Sequence, residues 1–448
     1  MTGSCLLTIQ EYVSSGGALS EAAARSGSSV ESLRNLLLSA GERTATKLGF
    51  LSNPLKVTGT EIKAVDFAGM IRAGDLLELE VVPKFLDASA SAWREDFFFL
   101  SMISRHGHIL HRDKLGALTA ASSDLTTLIA QCLAVMFLQH SRRPIRTYRK
   151  HVETDFLLEG EVDEIDLLTP DSGGFRQNVV RYSRDNPYNR LLLEAAKSVL
   201  PSIRENVTRT SIERMISMLG KQESRVPQRY QRLPSRARHW QSTTELARDI
   251  LDGLGTNYGA GRTLAPGFVI DTWRLWEDVL EIGSRALPSG FRVHSQKGCS
   301  LGKRQQRVGA TWGSPHPFDA VPDFLVEGTE MPASMIVDAK YKGRFSDTAR
   351  RVSEADVYEA LAFSEAHGIP RVLLLYPRSG SLARSRVGSQ ELFEKITIGN
   401  TQIWAADTEI RGIASGGSLG EFAQNLGKGL VSTCSEMLTH NSRCLTTS

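Results

Sequence analysis

The stretch Val321 to Lys342 reads VPDFLVEGTEMPASMIVDAKYK. It holds two short apolar runs, Phe324-Leu325-Val326 and Met335-Ile336-Val337, each beside an aspartate and separated by a Gly/Glu/Pro region, which predicts two strands joined by a short loop. Strand side chains repeat with a period of two, so Asp338 and Lys340 are expected on one face, with Asp323 joining them from the neighbouring strand. Two acidic oxygens and a backbone carbonyl, that of Ala339, suit a hard divalent cation that keeps several waters, as Mg²⁺ does, with Mn²⁺ as a substitute. Such an ion lowers the pKa of its water and stabilises the charge that builds on a phosphodiester, with the Lys340 ammonium beside that water. Phosphodiester hydrolysis is the chemistry this pattern suits. D-x-K tripeptides are frequent, and a lone one usually marks a solvated strand end. The apolar strand leading into each half, the short spacing and the Tyr341-Lys342 tail set this one apart.

The chain has 448 residues, which predicts two or three domains, since single cores rarely grow beyond about 250–300 residues. Hydrophobic residues make up 41% and charged residues 23%, ordinary values for a globular protein that exclude wholesale disorder. A net charge of +3 is too small to argue for nucleic acid, so local clustering has to carry that argument. Five cysteines, Cys5, Cys132, Cys299, Cys434 and Cys444, are scattered and odd in number, which suggests neither a disulfide framework nor a zinc site. A reducing cytoplasm fits this usage. The N-terminus lacks a basic leader followed by an apolar run, and no window approaches about eighteen uninterrupted apolar residues, so neither export nor a membrane span is expected.

Five segments follow from patterning. Residues 1–50 are an accessory segment with one helical pattern around Glu31 to Leu38. Residues 51–160 read as a mixed β/α N-terminal domain, with alternating strands such as Leu77 to Phe85 and an apolar helix through Leu125, Ile129, Leu133 and Met136. Residues 161–255 are a helical middle region, in which Arg190 to Leu200 is an amphipathic helix stopped by Pro201. Thr256 to Gly267 is a Gly-rich linker into a domain spanning 256–410, and 411–448 is a C-terminal tail. Two basic runs stand out: Ser141 to Lys150, and Lys221 to Trp240, where Arg229 and Arg232 lie near Tyr230. Arginine beside aromatics suits phosphate and base contact, although a solvated helix end or a connector reads the same way. The acids of Gly160 to Asp166 lack a strand pair to hold them and read as a surface turn.

In the last domain, Phe268 to Asp271 precedes an amphipathic helix carrying Trp273, Trp276, Val279 and Leu280, with Glu277 beside its apolar face. A strand at Phe291 to Gln296 and a flexible Gly/Lys segment lead to the two motif strands. A basic loop with Arg344 follows, then a helix with Tyr358 and Glu359, and the strand Val372 to Pro377. This order of elements and the Asp323, Asp338 and Lys340 set resemble the PD-(D/E)xK nuclease superfamily. The W-E pair at Trp276-Glu277, Gln296, V-P-D-F-L, I-V-D-A-K-Y-K, D-V-Y-E-A-L-A-F and L-L-L-Y-P together resemble the McrC family, the nuclease subunit of McrBC-type modification-dependent restriction systems. Val82-Pro83-Lys84-Phe85 and Asp185 to Arg190 resemble it more weakly.

The resemblance implies a multidomain α+β protein with a β-rich and helical partner-binding N-terminal region, a helical middle and a C-terminal α/β restriction-endonuclease-like domain. It implies a Mg²⁺-dependent DNA endonuclease that acts on modified duplex DNA with an AAA+ GTPase or ATPase motor of McrB type, contacted by residues 51–160. Asp323 and Asp338 would bind the metal, Lys340 would assist the attacking water and Glu277 would support the site. Lys342, Arg344, Tyr358, Glu359, Arg229 and Arg232 are the candidates for DNA contact. Glu359 stands where the family has glutamine, Phe363 where tyrosine is usual, and Glu161 where a basic residue is common. Two other classes stay open: a non-catalytic DNA-binding subunit that activates the motor, and a repair nuclease that needs none.

Overall fold

The computed structural model describes residues 5–444 apart from 75, 91, 107–123, 163, 170, 227–231, 255–268, 286, 288–289, 329–333, 342–343, 347–348 and 416–417. The chain forms two compact units. One joins residues 1–119 to 269–448, and the other is residues 120–268 inserted between them. The Gly-rich linker read at 256–267 lies outside the described residues.

The first unit begins with β1 (Cys5–Gln10), α1 (Ala18–Ser26) and α2 (Val30–Leu48), followed by β2 (Leu55–Thr58), β3 (Glu61–Ala64), β4 (Phe67–Ala73) and β5 (Leu77–Val82). Ser29 caps α2 by accepting the Ser32 N–H at 3.1 Å, satisfying a donor the helix start leaves open. β1 runs parallel to β5, and β5 pairs antiparallel with β4. The alternation in Leu77-Glu78-Leu79-Glu80 does not mark a solvent face, because every residue of β5 is buried. Glu80 is instead held by Arg94 at 2.6 Å and Glu78 by Arg72 at 3.2 Å, the pairing that a buried carboxylate requires. Arg94 lies on α3 (Trp93–His106).

The inserted unit contains α4 (Leu125–His140), β6 (Thr147–Asp155), β7 (Glu161–Val162), α5 (Glu164–Leu168), β8 (Phe175–Ser183), α6 (Pro187–Val199), α7 (Asn206–Leu219) and α8 (Gln241–Leu254). Its three strands run in the order β6-β8-β7. Asp124 caps α4 through the Thr127 N–H at 2.8 Å, and Asn186 caps α6 through the Asn189 N–H at 3.0 Å. Buried Trp240 donates its indole N–H to the Arg143 carbonyl at 2.8 Å.

The chain re-enters the first unit at β9 (Val269–Asp271), which hydrogen-bonds to β4 with Phe67 opposite Asp271. Then come α9 (Thr272–Ser284), β10 (Phe291–Ser295), β11 (Cys299–Arg304), β12 (Arg307–Val308), β13 (Thr311–Trp312), β14 (His316–Ala320), β15 (Phe324–Gly328) and β16 (Ser334–Ala339). The unit finishes with β17 (Arg344–Ser346), β18 (Ala349–Arg351), α10 (Glu354–His367), β19 (Arg371–Pro377), β20 (Gln390–Ile398), β21 (Thr401–Thr408) and α11 (Ser418–Cys444). Six strands form the main sheet in the order β10-β15-β16-β19-β21-β20. β16, β19 and β21 are parallel and almost entirely buried, as strands covered on both faces must be.

The segment expected as a C-terminal tail contributes to this core: Phe422, Leu426 and Leu430 of α11 are buried. Among the described residues no helix is long and apolar enough to cross a membrane.

Candidate active site

The two motif strands pair antiparallel, with Phe324 opposite Val337 and Leu325 opposite Ile336. This register brings Asp323 to the end of β16, where its Oδ2 accepts the Ala339 N–H at 2.7 Å. On the other side β16 runs parallel to β19, with Asp338 opposite Leu374, and the Lys340 N–H continues the ladder to the Leu375 carbonyl at 2.8 Å. The DAK triplet is thus fixed on one side by the Asp323 carboxylate and on the other by the backbone ladder to β19. The period of two holds: Lys340 Nζ lies 2.5 Å from Asp338 Oδ2. That contact pairs a buried carboxylate oxygen directly with the ammonium. Lys340 also donates to Glu359 Oε2 at 2.6 Å.

The helix α9 starts at Asp271, whose carboxylate accepts the Trp273 N–H at 3.2 Å. Trp276, buried, donates its indole N–H to the Leu375 carbonyl at 3.1 Å and so pins this helix to the sheet beside Lys340. One turn of the same helix presents Trp273 and Glu277 to a cavity of about 230 Å³, also lined by Ala339, Lys340, Tyr341 and Asp356. Asp356 sits in the first turn of α10 and accepts the Tyr376 hydroxyl at 3.0 Å.

The electrostatics are those of carboxylates crowded in a poorly solvated place. Burial, and next the neighbouring Asp323, push Glu277 up to about 8. Burial raises Asp338 to about 7, against the opposing pull of Lys340. Asp323 is raised for the same first reason. Burial disfavours the Lys340 charge, yet Asp338 and Glu359 outweigh it and its pKa is raised. The ammonium stands where the site calls for positive charge. Among the described residues no three His, Cys, Asp or Glu side chains gather closely enough to form a metal cage unaided. Two carboxylates and an adjacent backbone carbonyl are an oxygen donor set of the kind a partly hydrated hard cation takes.

The geometry therefore collects Asp323, Asp338, Ala339, Lys340, Glu359 and Glu277 in one place. Tyr358, on the same helix as Glu359, is 67% exposed. Arg344 lies on β17, and Lys342 and Arg229 lie outside the described residues. Arg232 belongs to the inserted unit, is exposed, and accepts the Tyr188 hydroxyl on its carbonyl at 3.0 Å. Other arginines of the basic runs serve that unit's own structure: Arg149 pairs with Asp185, and Arg236 lies 4.6 Å over the Tyr182 ring.

Sequence reading missed Asp356 and the support beneath Tyr341. That buried tyrosine packs edge-on against Phe85, carries the Lys84 ammonium 4.0 Å above its ring and donates to Glu11. The Val82-Pro83-Lys84-Phe85 segment was the only signal, and it gave no hint of what it touches.

The family described as McrBC 5-methylcytosine restriction system component matches residues 62–377. The chain belongs to this McrBC family. It shares its fold with a chain of a refined half-complex from a tetradecameric assembly of Thermococcus gammatolerans McrB AAA+ hexamers with bound McrC. That likeness has a TM-score of 0.70 at 15% identity and covers 95% of this chain and 100% of the other. A chain of the Thermococcus gammatolerans McrBC complex matches at a TM-score of 0.49 and 14% identity, over 62% of this chain and 86% of that one. No curated protein matches the sequence. The McrBC-family chain is McrC-like.

Proposed function

We propose that this McrC-like chain is the Mg²⁺-dependent DNA endonuclease subunit of a restriction and anti-phage defence system, with a site of PD-(D/E)xK type. The observation that carries this reading is the meeting of Asp323, Asp338 and Lys340 at the end of one strand, with the buried Asp338 Oδ2 2.5 Å from the Lys340 ammonium and Asp323 bonded to the Ala339 N–H. Asp323, Asp338 and the Ala339 carbonyl would hold the ion, which supplies Lewis-acid stabilisation of the phosphodiester and a more acidic water. Lys340, its charge secured by two carboxylates, orients the nucleophile and offsets negative charge on the scissile phosphate. Glu277 lines the same cavity and supports the carboxylate pair. A closed hydrophobic floor of β16 and β19 keeps these groups rigid.

The McrBC membership and the McrB hexamers in the related assembly support an AAA+ partner for this chain, with modified duplex DNA as the substrate. The test is restriction of phage or plasmid DNA in cells carrying the gene with its genomic neighbours, comparing wild type with Asp338→Ala. Loss of restriction by a folded, partner-bound variant is the expected result. Full restriction would make the chain a non-catalytic, motor-activating subunit instead, and strong cutting by the isolated chain would point to a motor-independent nuclease.

A further inference from the structure

Between β10 and β15, neighbours in the main sheet, residues 299–320 leave the sheet as a β-hairpin. Its lower part pairs Cys299 with Ala320, Gly302 with Phe318 and Arg304 with His316, and its upper part pairs Arg307 with Trp312 and Val308 with Thr311. The two parts are continuous, because the Gly313 N–H donates to the Gln306 carbonyl at 2.9 Å and the Gln305 amide to the Gly313 carbonyl at 3.2 Å. The turn is closed by Gly309, whose φ of +66° is a conformation glycine adopts without strain. Each arm beyond the base has about eight residues, a reach of roughly 25 Å at the rise of a strand.

Among the described residues only the base of the ribbon is anchored. Leu301 and Ala320 pack into the cluster that holds Ala360 and Phe363 of α10, the helix that also places Asp356 in the cavity and Glu359 on Lys340. From Gly302 to Asp319 every residue except Gly313 is exposed, so both faces of the ribbon are in water. Val308 and Trp312 are 71% and 67% exposed near the tip. A two-stranded ribbon without a buried face gains almost nothing from packing and is at best marginally stable by itself. Its charge is one-sided: Lys303, Arg304 and Arg307 against the single acid Asp319. The Arg304 guanidinium lies 4.5 Å over the Phe318 ring, which keeps it extended along the ribbon without neutralising it.

We propose that this hairpin is a DNA-gripping arm that enters a groove of the duplex beside the cleavage site. The inference rests on the endonuclease reading for its choice of DNA as ligand. A two-stranded ribbon matches the width of the B-form major groove, and three cations with one acid match the phosphate walls on either side. Trp312 and Val308 supply apolar contact at the tip. The base on α10 ties the arm to the element that borders Lys340, so DNA held by the arm passes near the cavity.

The experiment is fluorescence anisotropy with a 30-base-pair duplex, using the full chain carrying Asp338→Ala so that binding is read without cleavage. A second chain adds Lys303→Ala, Arg304→Ala and Arg307→Ala, and a third adds Trp312→Ala. Because these side chains are exposed, thermal midpoints are expected to stay unchanged. The triple variant is expected to bind at least about tenfold more weakly in low salt, with the slope of log affinity against log salt smaller by about 2 to 3. Trp312→Ala is expected to weaken binding without changing that slope. Equal affinity and slope in all three chains would overturn the proposal, as would a parent chain that binds no duplex. So would triple substitution that abolishes self-association or motor binding and leaves DNA affinity intact. If the parent binding depends on the ribbon but the unmutated protein never cleaves, the active-site reading fails and the arm stands.

Discussion

The Tyr341 hydroxyl donates to the buried Glu11 carboxylate across 330 residues of chain. Glu11 also accepts from the Thr272 hydroxyl at 2.8 Å and from the Lys84 N–H at 3.2 Å, so one N-terminal side chain holds three parts of the molecule around the residue that follows Lys340. Glu11→Ala leaves those donors buried without a partner. The expected cost is about 2–4 kcal/mol, read as a lower urea midpoint with an unchanged m-value. Wild-type stability in the variant would show the network to be dispensable.

The same residue predicts a pH dependence. Burial raises Glu11 to about 7 and Asp96 to about 6, against the hydrogen bonds each accepts. For both acids the folded-state pKa lies above the unfolded one. Their contribution to stability is therefore complete below about pH 4 and is lost as pH rises through about 7 for Glu11 and about 6 for Asp96. For Glu11 the loss is at most on the order of 3 kcal/mol. Urea midpoints of wild type and Glu11→Gln from pH 4.5 to 8 check this: the variant should show the flatter profile over that window.

A cation held by Asp323 and Asp338, as proposed, would bind the folded chain and not the unfolded one. Raising Mg²⁺ from the dissociation constant to tenfold above it should stabilise the protein by about 1 kcal/mol, detectable as a rise in thermal midpoint that EDTA reverses. Asp338→Ala should abolish the rise. An equal response in that variant would place the ion elsewhere.

Gly380 donates its N–H to the Lys84 carbonyl at 2.9 Å, and a Cβ there would come within 2.2 Å of the Leu86 carbonyl oxygen. Backbone cannot yield as a side-chain tip can, so Gly380→Ala should cost about 1–3 kcal/mol. Calorimetry on the purified variant measures it, and an unchanged midpoint would contradict the close approach.

The strand pair at 324–339 was legible because each half couples a short apolar run to an aspartate, a pattern that survives without any knowledge of the fold. The helix with Trp273, Trp276 and Glu277 was legible for the same reason, an apolar stripe at helical spacing. Glu11 was not, since nothing near it in sequence signals a partner 330 residues away. The ribbon at 299–320 read as a flexible Gly/Lys segment because a hairpin wet on both faces needs no alternation of apolar and polar residues. The alternation through Glu78 and Glu80 marked a strand correctly, but not that buried ion pairs rather than water meet those carboxylates.

The strand β9 completes the N-terminal sheet only after the entire inserted unit has been synthesised. A growing chain therefore exposes the edge of β4 while about 200 residues emerge from the ribosome at their usual 5–20 residues per second. For ten seconds or longer that edge is a template for unwanted pairing, until Val269–Asp271 arrives to cover it. The first unit is in this sense completed last, from two stretches of chain that flank the insertion.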